Sequence, residues 1–194
     1  MEKMMHAVLD MHHELSAALP LGVGFTIVFV FLYARTLSSG WLLVGIVFSA
    51  GVNVVLKHTL RHPRPASSLR SGYGMPSHHT QFMAFAVAYT SAHLVSHTRS
   101  RQLPAILALL LASVAAVAHG RVLHGYHTTG QVVVGAIVGS VLGVAWLALY
   151  VYAGKAFLAS WVRSPLAGWG VWGYASVLDG SLPPCGALKP LKVG

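Results

Sequence analysis

The sequence predicts an all-α, multi-pass transmembrane bundle of five to six helices. Three observations lead there. Of the 194 residues, 55% are hydrophobic and 9% charged, whereas soluble domains carry about a quarter charged residues. The apolar residues collect in runs close to the ~20 that a helix needs to cross hydrocarbon. The four acids, Glu2, Asp10, Glu14 and Asp179, leave no carboxylate between Leu15 and Leu178. The length suits one domain. The expected division is an N-terminal arm at 1–18, a membrane domain at 19–178 and an irregular tail at 179–194.

Residues 1–18 mix polar and apolar types and read as a short amphipathic or frayed arm. Its histidines, His6, His12 and His13, lack the spacing of a metal site. The first span runs from Leu19 to Leu37, with Pro20 in its first turn and Arg35 snorkelling at its far end. Ser38, Ser39 and Gly40 read as a turn. Trp41, a residue type that favours the membrane interface, opens a second span to about Leu56. Asn53 inside it is expected to bond a neighbouring helix. Residues 57–76 are polar and broken by Pro63, Pro65, Gly72, Gly74 and Pro76. A loop that long in a compact domain tends to be functional.

The third span runs from about His79 to Val95, with Ser77 as its cap. His93 and His97 sit four apart near its end, beside Arg99 and Arg101, where an interfacial role is preferred to metal binding. Leu103 to Ala118 is the fourth span, with Pro104 in its first turn. Polar residues return at 120–127, with Arg121, His124 and His127. Thr128 to Tyr152 forms the fifth span, in which Gly135, Gly139 and Gly143 recur every fourth residue, a spacing that lets helices approach closely in lipid. Residues 155–178 read as a sixth, weaker span or an interfacial hairpin.

The formal net charge is +9, from 13 Lys and Arg against 4 acids. In so apolar a chain this charge points to lipid head groups or an anionic substrate, and not to nucleic acid. A core without carboxylates excludes glycosidase-type chemistry there and argues against a Mg or Ca cage. The single cysteine, Cys185, forms no internal disulfide. Any chemistry in the core must run on His, Lys, Arg and Ser. Two spans separate the loop at 57–77 from that at 119–127, so both are expected on one side of the membrane. Together with the start of the third span they carry Lys57, Arg64, Ser77, His79, Arg121 and His127. Arginine binds phosphate oxygens bidentately and lysine adds a point charge. Phosphoryl transfer asks mainly for positioning and charge stabilisation. One neutral imidazole can attack phosphorus while another protonates the leaving oxygen.

Lys57 with Arg64-Pro65, Pro76-Ser77 with His79, and Arg121 with His127 resemble the three-part signature of the type 2 phosphatidic acid phosphatase superfamily. Gly51-Val52-Asn53, Tyr73 to Ser77, Gln81-Phe82-Met83 and Tyr126-His127-Thr128 with Gln131 look like its dolichyl-diphosphate phosphatase branch, as does Asp179 with Ser181-Leu182. The resemblance covers about residues 50–150. It implies a haloperoxidase-like helical fold and removal of the terminal phosphate from a dolichyl or polyprenyl diphosphate held in the bilayer. It implies that His127 is the nucleophile, forming a phosphohistidine, and that His79 is the acid. Lys57, Arg64 and Arg121 would hold the phosphoryl oxygens, with Ser77 and nearby backbone N–H groups, and no metal or other cofactor would be needed.

The chain departs from the wider pattern at three places. Gln131 stands where the superfamily has Asp four residues after the nucleophile. Its amide oxygen can accept from the imidazole Nδ1–H but brings no charge. His78 replaces a common Gly, and Gly120 replaces Ser. His78 reads as a bulky first-turn residue and His124 as structural, with substrate contact and a place at the pocket mouth as the respective alternatives. Setting the site cations aside, Arg35, Arg99, Arg101, Lys155 and Arg163 lie on the opposite side, against Lys3 on the N-terminal side. The positive-inside rule then puts the site in the lumen, as in the endoplasmic reticulum. The rival expectations are a phosphatidate phosphatase of a plastid-like membrane and a non-catalytic lipid-binding protein.

Overall fold

The computed structural model describes residues 2–34, 37–68 and 71–157. Five α-helices follow one another: α1 (Glu2–Ala34), α2 (Leu37–Leu60), α3 (His78–His97), α4 (Leu103–Leu123) and α5 (Thr129–Leu149), the last running into a π-helical turn at Tyr150–Gly154. Of the sixth element expected at 155–178, residues 155–157 continue the helix and the remainder lies outside the described residues, as do the tail, Arg35 and Arg163.

Helix α1 is continuous, where the sequence suggested an arm before Leu19 and Pro20 in a first turn. Residues 2–19 contain neither Gly nor Pro and are mostly good helix formers, so a helix once nucleated runs through them. Pro20 is inside it and buried. Ser38, Ser39 and Gly40 are not a turn; they lie in the first turns of α2. Packing explains the difference, since Ser39 is buried and Ser38 Oγ lies 3.3 Å from the Tyr89 hydroxyl of α3. Helix α4 runs past Ala118 and takes Arg121 into its last turn.

Among the described residues, three helices are long and apolar enough to cross a membrane: α2, α4, and α5 with its extension to Phe157. They turn Val44, Val47, Leu109, Leu111, Ile137 and Val141 outward. Helix α3 is of similar length but carries more polar side chains, because it is the centre of the bundle. Its Thr80, Gln81, Met83, Phe85 and Tyr89 are buried. Gln81 Nε2 donates to Ser49 O (2.8 Å), and its Oε1 accepts from Asn53 Nδ2 (2.7 Å). Asn53 thus bonds a neighbouring helix as its sequence context suggested, and the polar face of α3 is hidden from lipid.

The glycines of α5 let it lie directly on α3. A Cβ at Gly135 would stand 2.8 Å from Ser77 O, and one at Gly139 would run into Gln81 O and Ala84. At the far end Trp41 and Trp146 stack at 4.9 Å, and each indole N–H donates to the other residue's carbonyl (3.1 and 2.8 Å). At the near end the two polar loops meet, as helix parity required: Ser77 N–H donates to Gln131 O (3.0 Å) and Ser67 Oγ to Gly125 O (3.4 Å).

Gly139→Leu is expected to lower the unfolding midpoint in detergent strongly, since forcing bulk into a packed contact costs about 1–3 kcal/mol or more. Gly51→Leu, where a Cβ meets nothing within 4 Å, should shift it little. Equal midpoints for the two variants would show that the α3–α5 contact is looser than described.

Candidate active site

Helix α2 ends where Arg61 turns to φ 46° and Pro63 follows. The chain doubles back through a single antiparallel bridge between Pro63 and Tyr73 and enters α3 after a cis Met75–Pro76 peptide. Lys57 is therefore in the last turn of α2, with Arg64 just beyond it. On the other loop, α4 closes with Arg121, and Gly125 takes φ 67°, a conformation that glycine adopts at no steric cost. The N–H groups of Tyr126 and His127 both donate to Arg121 O (3.1 Å each).

Ser77 is the residue before α3, but its side chain makes no cap bond. Its Oγ accepts from Thr80 Oγ1 (3.2 Å), and its N–H is taken by Gln131 O. The expected side-chain cap is thus absent, because close packing on α5 turns this residue toward the protein. Of the backbone donors expected at this helix start, Ser77 N–H is committed elsewhere.

His127 is 3% exposed. Its Nδ1 lies 3.0 Å from Gln131 Oε1. Gln131 Nε2 lies 2.7 Å from Pro63 O, which can only accept, so the nitrogen end of the amide faces Pro63 and the oxygen end faces His127. Nδ1 therefore carries the proton, and the Nε2 lone pair accepts from Arg64 Nη1–H (3.2 Å). The same guanidinium nitrogen donates to Tyr126 O (3.1 Å). Arg121, 4% exposed, lies with its Cζ 4.4 Å from the Tyr126 ring centroid, a cation–π contact. Burial lowers the His127 pKa most; the Gln131 bond raises it, and the charges of Arg64, Arg121 and Lys57 lower it again, leaving it at about 4. At neutral pH the ring is uncharged.

Sequence reasoning did not find Tyr126, His62, Pro63 and Gly74 as parts of this arrangement. Gln131 Nε2 also reaches His62 Nδ1 (3.0 Å). A Cβ at Gly74 would stand 2.5 Å from Gln131 Nε2, so the glycine clears room for the amide. A backbone acceptor such as Pro63 O leaves no mark in a sequence. His79 is half-buried on the first turn of α3 beside His78, their rings edge to face at 6.1 Å, and both line a cavity between α1, α2 and α3. His124 follows the end of α4, its N–H donating to Gly120 O (3.1 Å). His93 and His97 stack at 4.3 Å, and among the described residues no group of three or more His, Cys, Asp or Glu could hold a metal.

Residues 38–155 match the PAP2 superfamily. The chain belongs to that superfamily. It is 35% identical over 139 residues to dolichyldiphosphatase 1 of Rhinolophus ferrumequinum, covering 65% of this chain and 58% of that one. It is 32% identical over 191 residues to dolichyldiphosphatase 1 of Homo sapiens, covering 90% and 78%. Within the superfamily it groups with these phosphatases. Its fold resembles the crystal structure of a transmembrane PAP2-type phosphatidylglycerolphosphate phosphatase from Bacillus subtilis, with a TM-score of 0.58 at 21% identity, covering 82% of this chain and 79% of that one. This PAP2 chain is a membrane protein.

At position 131 the carboxamide suits both of its neighbours, accepting from His127 and donating to Pro63 O. A carboxylate at position 131 could accept from His127 but would set an anionic oxygen against Pro63 O. Gln131→Glu is accordingly expected to lower folded-state stability in detergent by about 1–3 kcal/mol, the cost of leaving a buried polar group unmatched. Unfolding midpoints of the two proteins check this; a variant as stable as the parent would show that the Pro63 contact contributes nothing.

Proposed function

We propose that this chain hydrolyses the terminal phosphate of dolichyl diphosphate or a related polyprenyl diphosphate, giving the monophosphate and inorganic phosphate through a phosphohistidine at His127. The observation that carries this reading is the His127 ring. It is buried, neutral, held through Nδ1–H by Gln131, and has its Nε2 lone pair turned to Arg64. The likeness to the dolichyldiphosphatases supports the choice of lipid.

Phosphate oxygens would take over Arg64 and bring phosphorus to Nε2, with Arg121 and Lys57 adding positive charge. As the Nε2–P bond forms, the bond from phosphorus to the bridging oxygen breaks. His79 gives its proton to that oxygen, and the lipid monophosphate leaves. His79, now neutral, accepts a proton from the water that attacks the phosphohistidine, releasing inorganic phosphate and freeing His127. Gln131 keeps the ring oriented throughout, although its neutral oxygen stabilises a charged imidazole less than a carboxylate would.

Purified protein with EDTA present should release phosphate from dolichyl diphosphate, and His127→Ala should lower the rate by at least about a thousandfold, as for removal of other catalytic nucleophiles. Release from phosphatidate alone would keep the site and change the lipid. Silence of the parent protein on both lipids would favour a non-catalytic lipid binder.

The reading includes a place: the endoplasmic reticulum membrane with the site facing the lumen, where the monophosphate would return to the carrier pool of N-glycosylation. Arg99, Arg101 and Lys155 lie at the helix ends remote from His127, which supports that orientation. A glycosylation acceptor inserted at 66–72 should be modified in cells. Modification only of an acceptor placed after Lys155 would reverse the orientation.

A further inference from the structure

A cavity of about 400 Å³ adjoins the site. Pro20, Gly24 and Val28 of α1, Ile46 of α2 and Phe82 of α3 contribute to its apolar walls, and His78 and His79 form its polar end. These histidines directly follow Ser77, and His78 is within electrostatic reach of Lys57. The outer wall is open: Leu21, Phe25 and Val28 are 65%, 75% and 42% exposed.

The geometry points to this groove as the subsite for the hydrocarbon chain of the substrate, taking the isoprene units nearest the diphosphate. The inference rests on the phosphatase reading above and adds to it the place where the chain lies. An amphiphile whose anionic head is held by Lys57, Arg64 and Arg121 must lead its chain away over an apolar surface. The groove begins at His78 and His79 on the first turn of α3, on the side of Lys57, and its outer wall is exposed. Its volume is at the lower end of the ~300–1,000 Å³ of small-molecule sites, so it takes only the start of a long chain and leaves the remainder in the membrane. The dependence of KM on chain length should therefore level off once the groove is filled.

Gly24 provides the test. A Cβ there meets only Phe82 Cζ, at 3.8 Å, an ordinary contact, so a side chain can start into the groove from this position. Gly22, two residues earlier, meets nothing within 4 Å and does not line the groove. The kcat/KM of Gly24→Leu for a long-chain polyprenyl diphosphate should fall about tenfold relative to that for the short, water-soluble isopentenyl diphosphate, because displacing even two methylenes from an apolar site has that effect. Gly22→Leu should leave the ratio unchanged. A Gly24→Leu ratio equal to that of the parent would overturn the subsite and leave the groove to bulk lipid. A ratio that falls equally in Gly22→Leu would overturn it too, by tracing the effect to α1 in general. Activity of the parent on both diphosphates keeps the phosphatase reading in either case, whereas silence on both removes that reading and the subsite with it.

Discussion

The arrangement depends on one buried carboxamide. Gln131 is 0% exposed, so its hydrogen-bonding groups must find partners inside the protein. Its oxygen accepts from His127 Nδ1–H and from Thr128 N–H, the second of these closing the capping box that starts α5. Its nitrogen donates to Pro63 O and His62 Nδ1. A single side chain thereby starts a helix, sets the tautomer of the proposed nucleophile and ties down the loop that carries Arg64. Had the amide been reversed, a nitrogen would face Nδ1–H and an oxygen would face a carbonyl, so the network has one self-consistent orientation.

That network exists only because α3 and α5 begin side by side. The bundle arranges polarity for a lipid solvent: apolar residues of α2, α4 and α5 face outward, and the polar ones gather on α3. The Asn53–Gln81–Ser49 bonds hold α2 against α3, while Asn53 Nδ2 also reaches Pro76 O (3.3 Å) just before α3 starts. The glycines of α5 then bring its backbone against that of α3, so that Gln131 O meets Ser77 N–H. The two loops meet because the helices that end in them are packed in this way.

Electrostatics complete the site. The charges of Lys57, Arg64 and Arg121 all act on His127, and the sequence has no carboxylate between Leu15 and Leu178, an arrangement suited to a multiply charged anion. Arg64 plays two parts in the proposed cycle. With no substrate bound it donates to the lone pair of His127; an arriving phosphate would draw its donors away and free that lone pair for attack. Burial and the surrounding positive charge keep the imidazole neutral, as nucleophilic attack requires.

Much of this was legible in the sequence. The helical membrane class follows from composition, since a chain so poor in charge can satisfy its backbone in lipid only within helices or a closed barrel. The glycine period of α5 and the buried role of Asn53 were also readable, because close packing and polar bonding in lipid select residue types directly. Lys57, Arg64, Arg121, His127 and Gln131 were legible through motif spacing, and the structure brings them together. The misreadings lay at boundaries: α1 before Leu19, the start of α2 at Ser38–Gly40 and the end of α4 at Arg121. There local preference is weak and neighbouring helices decide. Tertiary structure alone determined that Ser77 faces α5, that Pro63 O orients the Gln131 amide and that Gly74 makes room for it. Each of these depends on a backbone group or an empty volume supplied by a distant segment, and neither kind of feature has a letter in the sequence.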